Sequence, residues 1–223
     1  MVRSLLRQSS SSKSWNLYIG LVLLGINAAL GYVVAVYGPL PGDVWALSEF
    51  QSLDNSLISN AAILAQWVGR TDVIAGSLAA SWIFFLIVGW MRELGASIMI
   101  PLADLAGQAV KILVGRDRPD LALSVLASDS YGFPSGHTIH AVVFLGFAMY
   151  LADLHLHVVW FRRLVQIWIG IVVIVVSAGR VYIGVHWPSD VIGGVSLGLL
   201  FLLVAIWIVK GSKQACPATT IGQ

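Results

Sequence analysis

No charged side chain occurs between Lys13 and Asp43. A bilayer-crossing helix needs ~20 mostly apolar residues, so this run predicts a first span near Asn16–Val36. The pattern repeats down the chain. Further spans are expected near Val73–Trp90, Leu94–Val114, Thr138–Ala152, Leu164–Gly179 and Val191–Val209. The third carries Asp104, Lys111 and Pro101 and is the least regular. Only 11% of residues are charged and mean hydropathy is +0.85, against about 25% charged in a soluble domain. The expected fold is all-α: a polytopic membrane protein with six transmembrane helices in one bundle, residues 16–209. Residues 1–15 are read as a cytoplasmic N-terminal segment and 210–223 as a disordered tail. The Ser9–Ser12 run is read as irregular as well.

Arg3, Arg7 and Lys13 precede the first apolar run, as in a secretory signal. That run is long for such a signal and no small-x-small cleavage site follows, so it is read as an uncleaved span. Net charge is +2 and no basic stripe exists, which argues against a nucleic-acid partner. Cys216 is the only cysteine, so no internal disulfide forms. Oligomeric state is not legible.

Between the first two spans, Leu57, Ile58, Ala61, Leu64, Ala65 and Val68 follow helical spacing. Asn55, Ser59, Gln66 and Arg70 lie opposite them, and Asp54 is a candidate N-cap. This predicts an extra interfacial helix in the first outer loop. Lysine and arginine number eight on the side holding both termini and five on the other. Cytoplasmic loops carry the excess, so both termini are placed in the cytoplasm.

Three charged clusters interrupt the apolar sequence, and charge within a membrane is costly and marks function. They read K-x6-R-P (Lys111, Arg118, Pro119), P-S-G-H (Pro134–His137) and R-x5-H-x3-D (Arg180, His186, Asp190). With six spans all three fall on the outer face. Lys111 and Arg118 lie seven apart, two turns if helical, and Pro119 then ends the helix. Arg116 falls off that face. Ser135 suits an N-cap, Gly136 allows close backbone approach, and the following amides face an anion. His137 is placed to donate a proton. His186 and Asp190 are spaced i,i+4, so Asp190 can hold one imidazole nitrogen while the other acts as nucleophile. Arg180 can grip phosphate oxygens. Each cluster alone has a plain structural alternative: a snorkelling pair, a capped helix start, an interfacial histidine.

Taken together, the order and spacing resemble the type-2 phosphatidic acid phosphatase superfamily over roughly residues 90–200. The resemblance implies a membrane lipid phosphatase with His186 as nucleophile, forming a phosphohistidine. It implies Asp190 as its orienter and His137 as acid to the leaving group. Lys111, Arg118, Arg180, Ser135 and the Gly136 amide would bind the phosphate. Gly179 departs from the family pattern, which has serine before the arginine. Neither metal nor cofactor is expected, because three nearby cations repel a divalent ion. Asp104, two turns before Lys111, is either a support for the cations or an internally satisfied residue. His140 is read as packing, and Gly194 and Gly198 as a helix-packing pair. The candidate substrates are undecaprenyl pyrophosphate, phosphatidylglycerol phosphate and phosphatidate. The rival reading is a phosphorylated-lipid flippase using the same cations. It lacks the internal repeat common in transporters.

Overall fold

The computed structural model describes residues 2–53, 55–119 and 130–214. Every regular element among them is helical. The first five are α1 (Val2–Tyr37), α2 (Pro41–Ser52), α3 (Ser56–Val68), α4 (Thr71–Val88) and α5 (Met91–Ser97). Then come α6 (Met99–Val114), α7 (Gly136–His140), α8 (Gly146–His155), α9 (Val159–Tyr182) and α10 (Pro188–Gln214). A π-helical turn, Ala141–Leu145, joins α7 to α8.

Five stretches among the described residues are long and apolar enough to cross a bilayer: Trp15–Tyr37, Met91–Val114, Gly136–His155, Val159–Tyr182 and Pro188–Gly211. The expected second span, near Val73–Trp90, falls on α4, which is not one of these five by itself. Ser56–Trp67 and Asp72–Val88 meet at a 61° bend, and they make a sixth span only if counted as one. The outer surface explains why lipid is the solvent. Leu113 is 84% and Ile87 80% exposed, and apolar side chains so bare over whole helices would make a large sticky patch in water.

α10 is the central post, packed against α1, α5, α6 and α7. Ile100, Ala103, Ile139, Val143, Phe147 and Leu197 fill the core around it. Its small residues set the distance to α7. A Cβ on Gly194 would lie 2.8 Å from the Ser135 carbonyl oxygen, and one on Gly198 would lie 2.9 Å from Val142 Cβ. The expected glycine pair is thus a packing seam, and it presses the start of α7 against α10. On the other side of α10, Asn27 of α1 donates to the Gly193 carbonyl at 2.8 Å and to Ser196 Oγ at 3.0 Å. Polar contacts of this kind join helices in lipid, where apolar burial gives no drive.

Several expectations change. α1 begins at Val2, so the Ser9–Ser12 run is helical. Extending an existing helix adds a bond per residue without a new nucleation cost. α10 likewise continues to Gln214, and the rest of the expected tail lies outside the described residues. Asp54 also lies outside them; Asn55 caps α3, its Oδ1 accepting from Leu57 N at 2.8 Å. α3 does not simply lie in the interface, since it packs along α9. α2 was not foreseen. Ile98 separates α5 from α6, three residues before Pro101, whose ring and missing N–H disturb the preceding turn.

Candidate active site

The three clusters converge at one end of the bundle. α6 stops at Val114, and Gly115 adopts a left-handed conformation, φ 60°, which glycine reaches without steric cost. Lys111 is therefore the last cation on the helix, and Arg118 does not sit two turns along it as expected. Arg118 arrives instead on the irregular segment that follows the helix. Its Nε donates to the Ser130 carbonyl at 2.7 Å and its guanidinium to the Val185 carbonyl at 2.9 Å. These bonds hold one guanidinium nitrogen 3.5 Å from His186 Nε2. Lys111 Nζ donates to the Tyr131 carbonyl at 3.2 Å and is buried.

His186 is 1% exposed. Its Nδ1 lies 3.4 Å from Asp190 Oδ2, which also accepts from Trp187 N at 2.9 Å. Nδ1 is thus turned to the carboxylate and Nε2 to the cations. Burial, then the charges of Arg180, Arg118 and Lys111, hold the imidazole well below its ordinary pKa. Both effects favour the neutral ring, the form in which an imidazole nitrogen can act as a nucleophile. The i,i+4 spacing works as expected in effect, although His186 precedes α10 and only Asp190 lies within its first turn.

Ser135 occupies the N-cap position of α7 without capping through its side chain. Its hydroxyl instead accepts from Thr138 Oγ1 at 3.1 Å, and its N–H donates to the Asp190 carbonyl at 3.0 Å. This leaves the Gly136 and His137 amides at a helix start, where an anion is favoured. His137 lies within electrostatic reach of Arg180, His186 and Lys111. The π turn begins one residue after His140; such turns are rare and cluster at functional sites.

Arg180 is buried near the end of α9, and its Nε has no hydrogen-bond partner among the described residues. One terminal nitrogen donates to Gln66 Oε1 of α3 at 3.3 Å. The departure at Gly179 has a steric meaning. A Cβ there would lie 3.3 Å from Ala62 Cα, so the missing side chain is what lets α3 sit this close to α9. Gly69, just past α3, lies against the His137 ring, and a Cβ on it would overlap that ring. α3 and its end therefore wall the site.

Sequence reasoning placed Arg116 off a helical face shared by Lys111 and Arg118, but α6 ends at Val114, before Arg116. Its destination was missed. Arg116 is buried and bridges two carboxylates, donating to Asp190 Oδ1 and to Asp43 Oδ2, the latter at 2.7 Å. It also donates to Ser189 Oγ at 2.7 Å. Asp43 Oδ1 accepts from Ser189 N at 2.8 Å, and Oδ2 accepts from Ser189 Oγ at 2.6 Å and Leu40 N at 3.0 Å. One carboxylate thereby satisfies free amides of two helices, α2 and α10. Burial works to raise the Asp43 pKa, but the bonds from Ser189, Arg116 and Leu40 outweigh it and leave it lowered. Removing one partner from a buried pair costs about 3–5 kcal/mol. A signal was present: Asp43 is an isolated acid in apolar sequence and needs a cation, and Arg116 was a cation without a role.

Asp104 does not reach the cations. Its Oδ2 lies 3.1 Å from His140 Nδ1, so its place is with a buried histidine one turn beyond His137.

The family model described as PAP2 superfamily matches residues 93–214. The chain belongs to the PAP2 superfamily. Over 178 residues it is 33% identical to phosphatidylglycerophosphatase B of Bacillus subtilis (strain 168), covering 74% of this chain and 85% of that protein. It is 32% identical over 131 residues to an undecaprenyl-diphosphatase of Sulfolobus acidocaldarius, covering 54% of this chain and 59% of that one. The fold is similar to the crystal structure of a transmembrane PAP2 type phosphatidylglycerolphosphate phosphatase from Bacillus subtilis. The TM-score is 0.70 at 23% identity, over 91% of this chain and 99% of that one. The PAP2 match begins at Glu93 and so takes in all three charged clusters, but not α2 or α3, which supply Asp43 and Gln66.

Proposed function

We propose that this PAP2 chain hydrolyses a lipid phosphomonoester or pyrophosphate through a phosphohistidine, without a metal. One observation carries the reading: a buried His186 holds Nδ1 near Asp190 and turns Nε2 toward Arg118, within electrostatic reach of Lys111 and Arg180. In the first step His186 Nε2 attacks phosphorus and the phosphorus–oxygen bond to the lipid breaks. His137, as imidazolium, gives its proton to the departing oxygen, and the dianionic phosphate supplies that imidazolium's counter-charge. In the second step water attacks the phosphohistidine and gives a proton back to His137. Phosphate leaves and His186 is restored. Lys111, Arg118, Arg180, Ser135 and the Gly136 amide hold the equatorial oxygens and stabilise the charge that builds there. This set does the work that metal ions do in many phosphoryl-transfer enzymes.

Three cations at the site repel a divalent ion, so a chelator should leave activity intact. Vanadate, which mimics the five-coordinate phosphorus, should inhibit. Phosphate release from undecaprenyl pyrophosphate, phosphatidylglycerol phosphate and phosphatidate in detergent, each with and without EDTA, measures both. Activity lost in EDTA and restored by zinc or magnesium refutes the metal-free step. Lipid translocation in vesicles without phosphate release points to the flippase reading.

The proposed topology has six spans, the α3–α4 pair counting as one, with both termini cytoplasmic in a bacterial inner membrane. The site then opens on the outer face. That side favours undecaprenyl pyrophosphate, whose head group is released there. A cysteine replacing Ser128, in a Cys216→Ser background, should react with an impermeant thiol reagent on intact cells. Labelling only after lysis reverses the orientation.

A further inference from the structure

We infer that Arg116 and Asp43 are positioning residues for catalysis: a buried Asp43–Arg116–Asp190 bridge aims the Asp190 carboxylate at His186. The inference rests on the phosphohistidine reading above and assigns a role to two residues outside the three clusters.

Division of labour at Asp190 is the first ground. Its Oδ1 is taken by Arg116, and its Oδ2 faces His186 Nδ1 and Trp187 N. A carboxylate has two oxygens in one plane, so fixing Oδ1 fixes where Oδ2 points. The Asp190 side chain is fully buried. Without Arg116 it would lose the partner that sets its rotation.

The second ground is that Arg116 is itself held from the far side. Asp43 takes its other terminal nitrogen at 2.7 Å, the Gly38 carbonyl accepts at 3.2 Å, and the Trp187 ring lies 5.8 Å from its carbon. A planar guanidinium bound at both ends acts as a rigid spacer, which a lysine cannot reproduce. Third, both terminal nitrogens of Arg116 are spent on protein acceptors, two of them carboxylates, whereas Arg180 has a terminal nitrogen on the neutral amide of Gln66; the Nε of each is without a partner among the described residues. Arg116 therefore orients, while Arg118, Arg180 and Lys111 are the cations left to meet phosphate.

Nucleophile-orienting groups act on kcat, and phosphate ligands also act on KM. Arg116→Gln should lower kcat by about 10–100-fold, the usual cost of losing a residue that orients a catalytic ligand. Its KM for the lipid phosphate should stay within about twofold. Arg116→Lys should recover part of kcat but not all, because one ammonium cannot span two carboxylates. Asp43→Asn should give a smaller kcat loss, again with KM unchanged. Nitrogen-15 NMR of labelled histidine reads the geometry without turnover. In the unaltered protein His186 should hold its proton on Nδ1, and in Arg116→Gln the two tautomers should mix. If Arg116→Gln does not fold, the Lys and Asn variants carry the test. A raised KM with unchanged kcat, unchanged kcat in all variants, or an unaltered His186 tautomer overturns the inference. Should the unaltered protein release no phosphate from any lipid, the functional reading fails, while the tautomer measurement still decides the bridge.

Discussion

His186→Ala should abolish phosphate release and leave the protein folded and membrane-embedded. Deleting a covalent catalyst removes roughly 10⁶-fold from kcat in the best-studied hydrolases, and among the described residues no other histidine is held by Asp190. His137 and His140 lie on α7, and His140 is engaged with Asp104 at 3.1 Å. The ring of His186 is buried, so its loss opens a small void but strands no charge, because Asp190 retains Arg116 and Trp187 N. Stability should therefore fall far less than activity. With a substrate labelled at phosphorus, a rapid base quench should trap label on His186 in the unaltered protein and none in the variant. Label on any other residue reassigns the nucleophile.

His137→Ala should cost about 10²–10⁴-fold, the usual range for a general acid, and the loss should depend on the substrate. A lipid alkoxide is a poor leaving group and needs the proton. Nitrophenolate or a pyrophosphate's departing phosphate needs it much less. The diagnostic measurement is the ratio of variant to parent kcat across leaving groups of graded basicity, which should approach one as basicity falls. A uniform loss across the series would make His137 a phosphate ligand and not an acid. His137 also meets Gly69 closely, so thermal stability of the variant should be recorded beside its kinetics.

The spans were legible because lipid imposes one simple demand, a long apolar run. Trp15–Tyr37 and Pro188–Gly211 lie within a few residues of their expected limits. The site was legible wherever chemistry is written in short spacing, as at His186 and Asp190. It was illegible where partners are far apart in the chain: Asp43 and Arg116 are separated by 73 residues, and Gln66 and Arg180 by 114. No local pattern reports such a meeting. Helical reasoning also misled where a helix had already ended. Seven residues read as two turns for Lys111 and Arg118, yet Gly115 stops α6 between them. Likewise, the π turn after His140 shifts the phase of α8 relative to α7, so a single period fails across that rod. The break between α3 and α4 was legible, since the amphipathic pattern stops at Val68 and the apolar run starts at Val73; that α3 packs along α9 was not.

The bond between Arg180 and Gln66 makes phosphate binding a substitution, not an addition. An arriving anion that uses this terminal nitrogen must displace a neutral amide from it, and the gain there is the difference between two bonds. Both bonds involve the charged guanidinium, worth about 1.5–3 kcal/mol, and the phosphate adds to this the attraction between two full charges. A terminal phosphate, with its full negative charge, wins that exchange. The phosphate of an ordinary diester lipid carries half the charge and is shielded on both sides, so its margin is thin. In a bilayer where diesters vastly outnumber the intended substrate, Gln66 would act as a standing competitor that keeps the common lipids out.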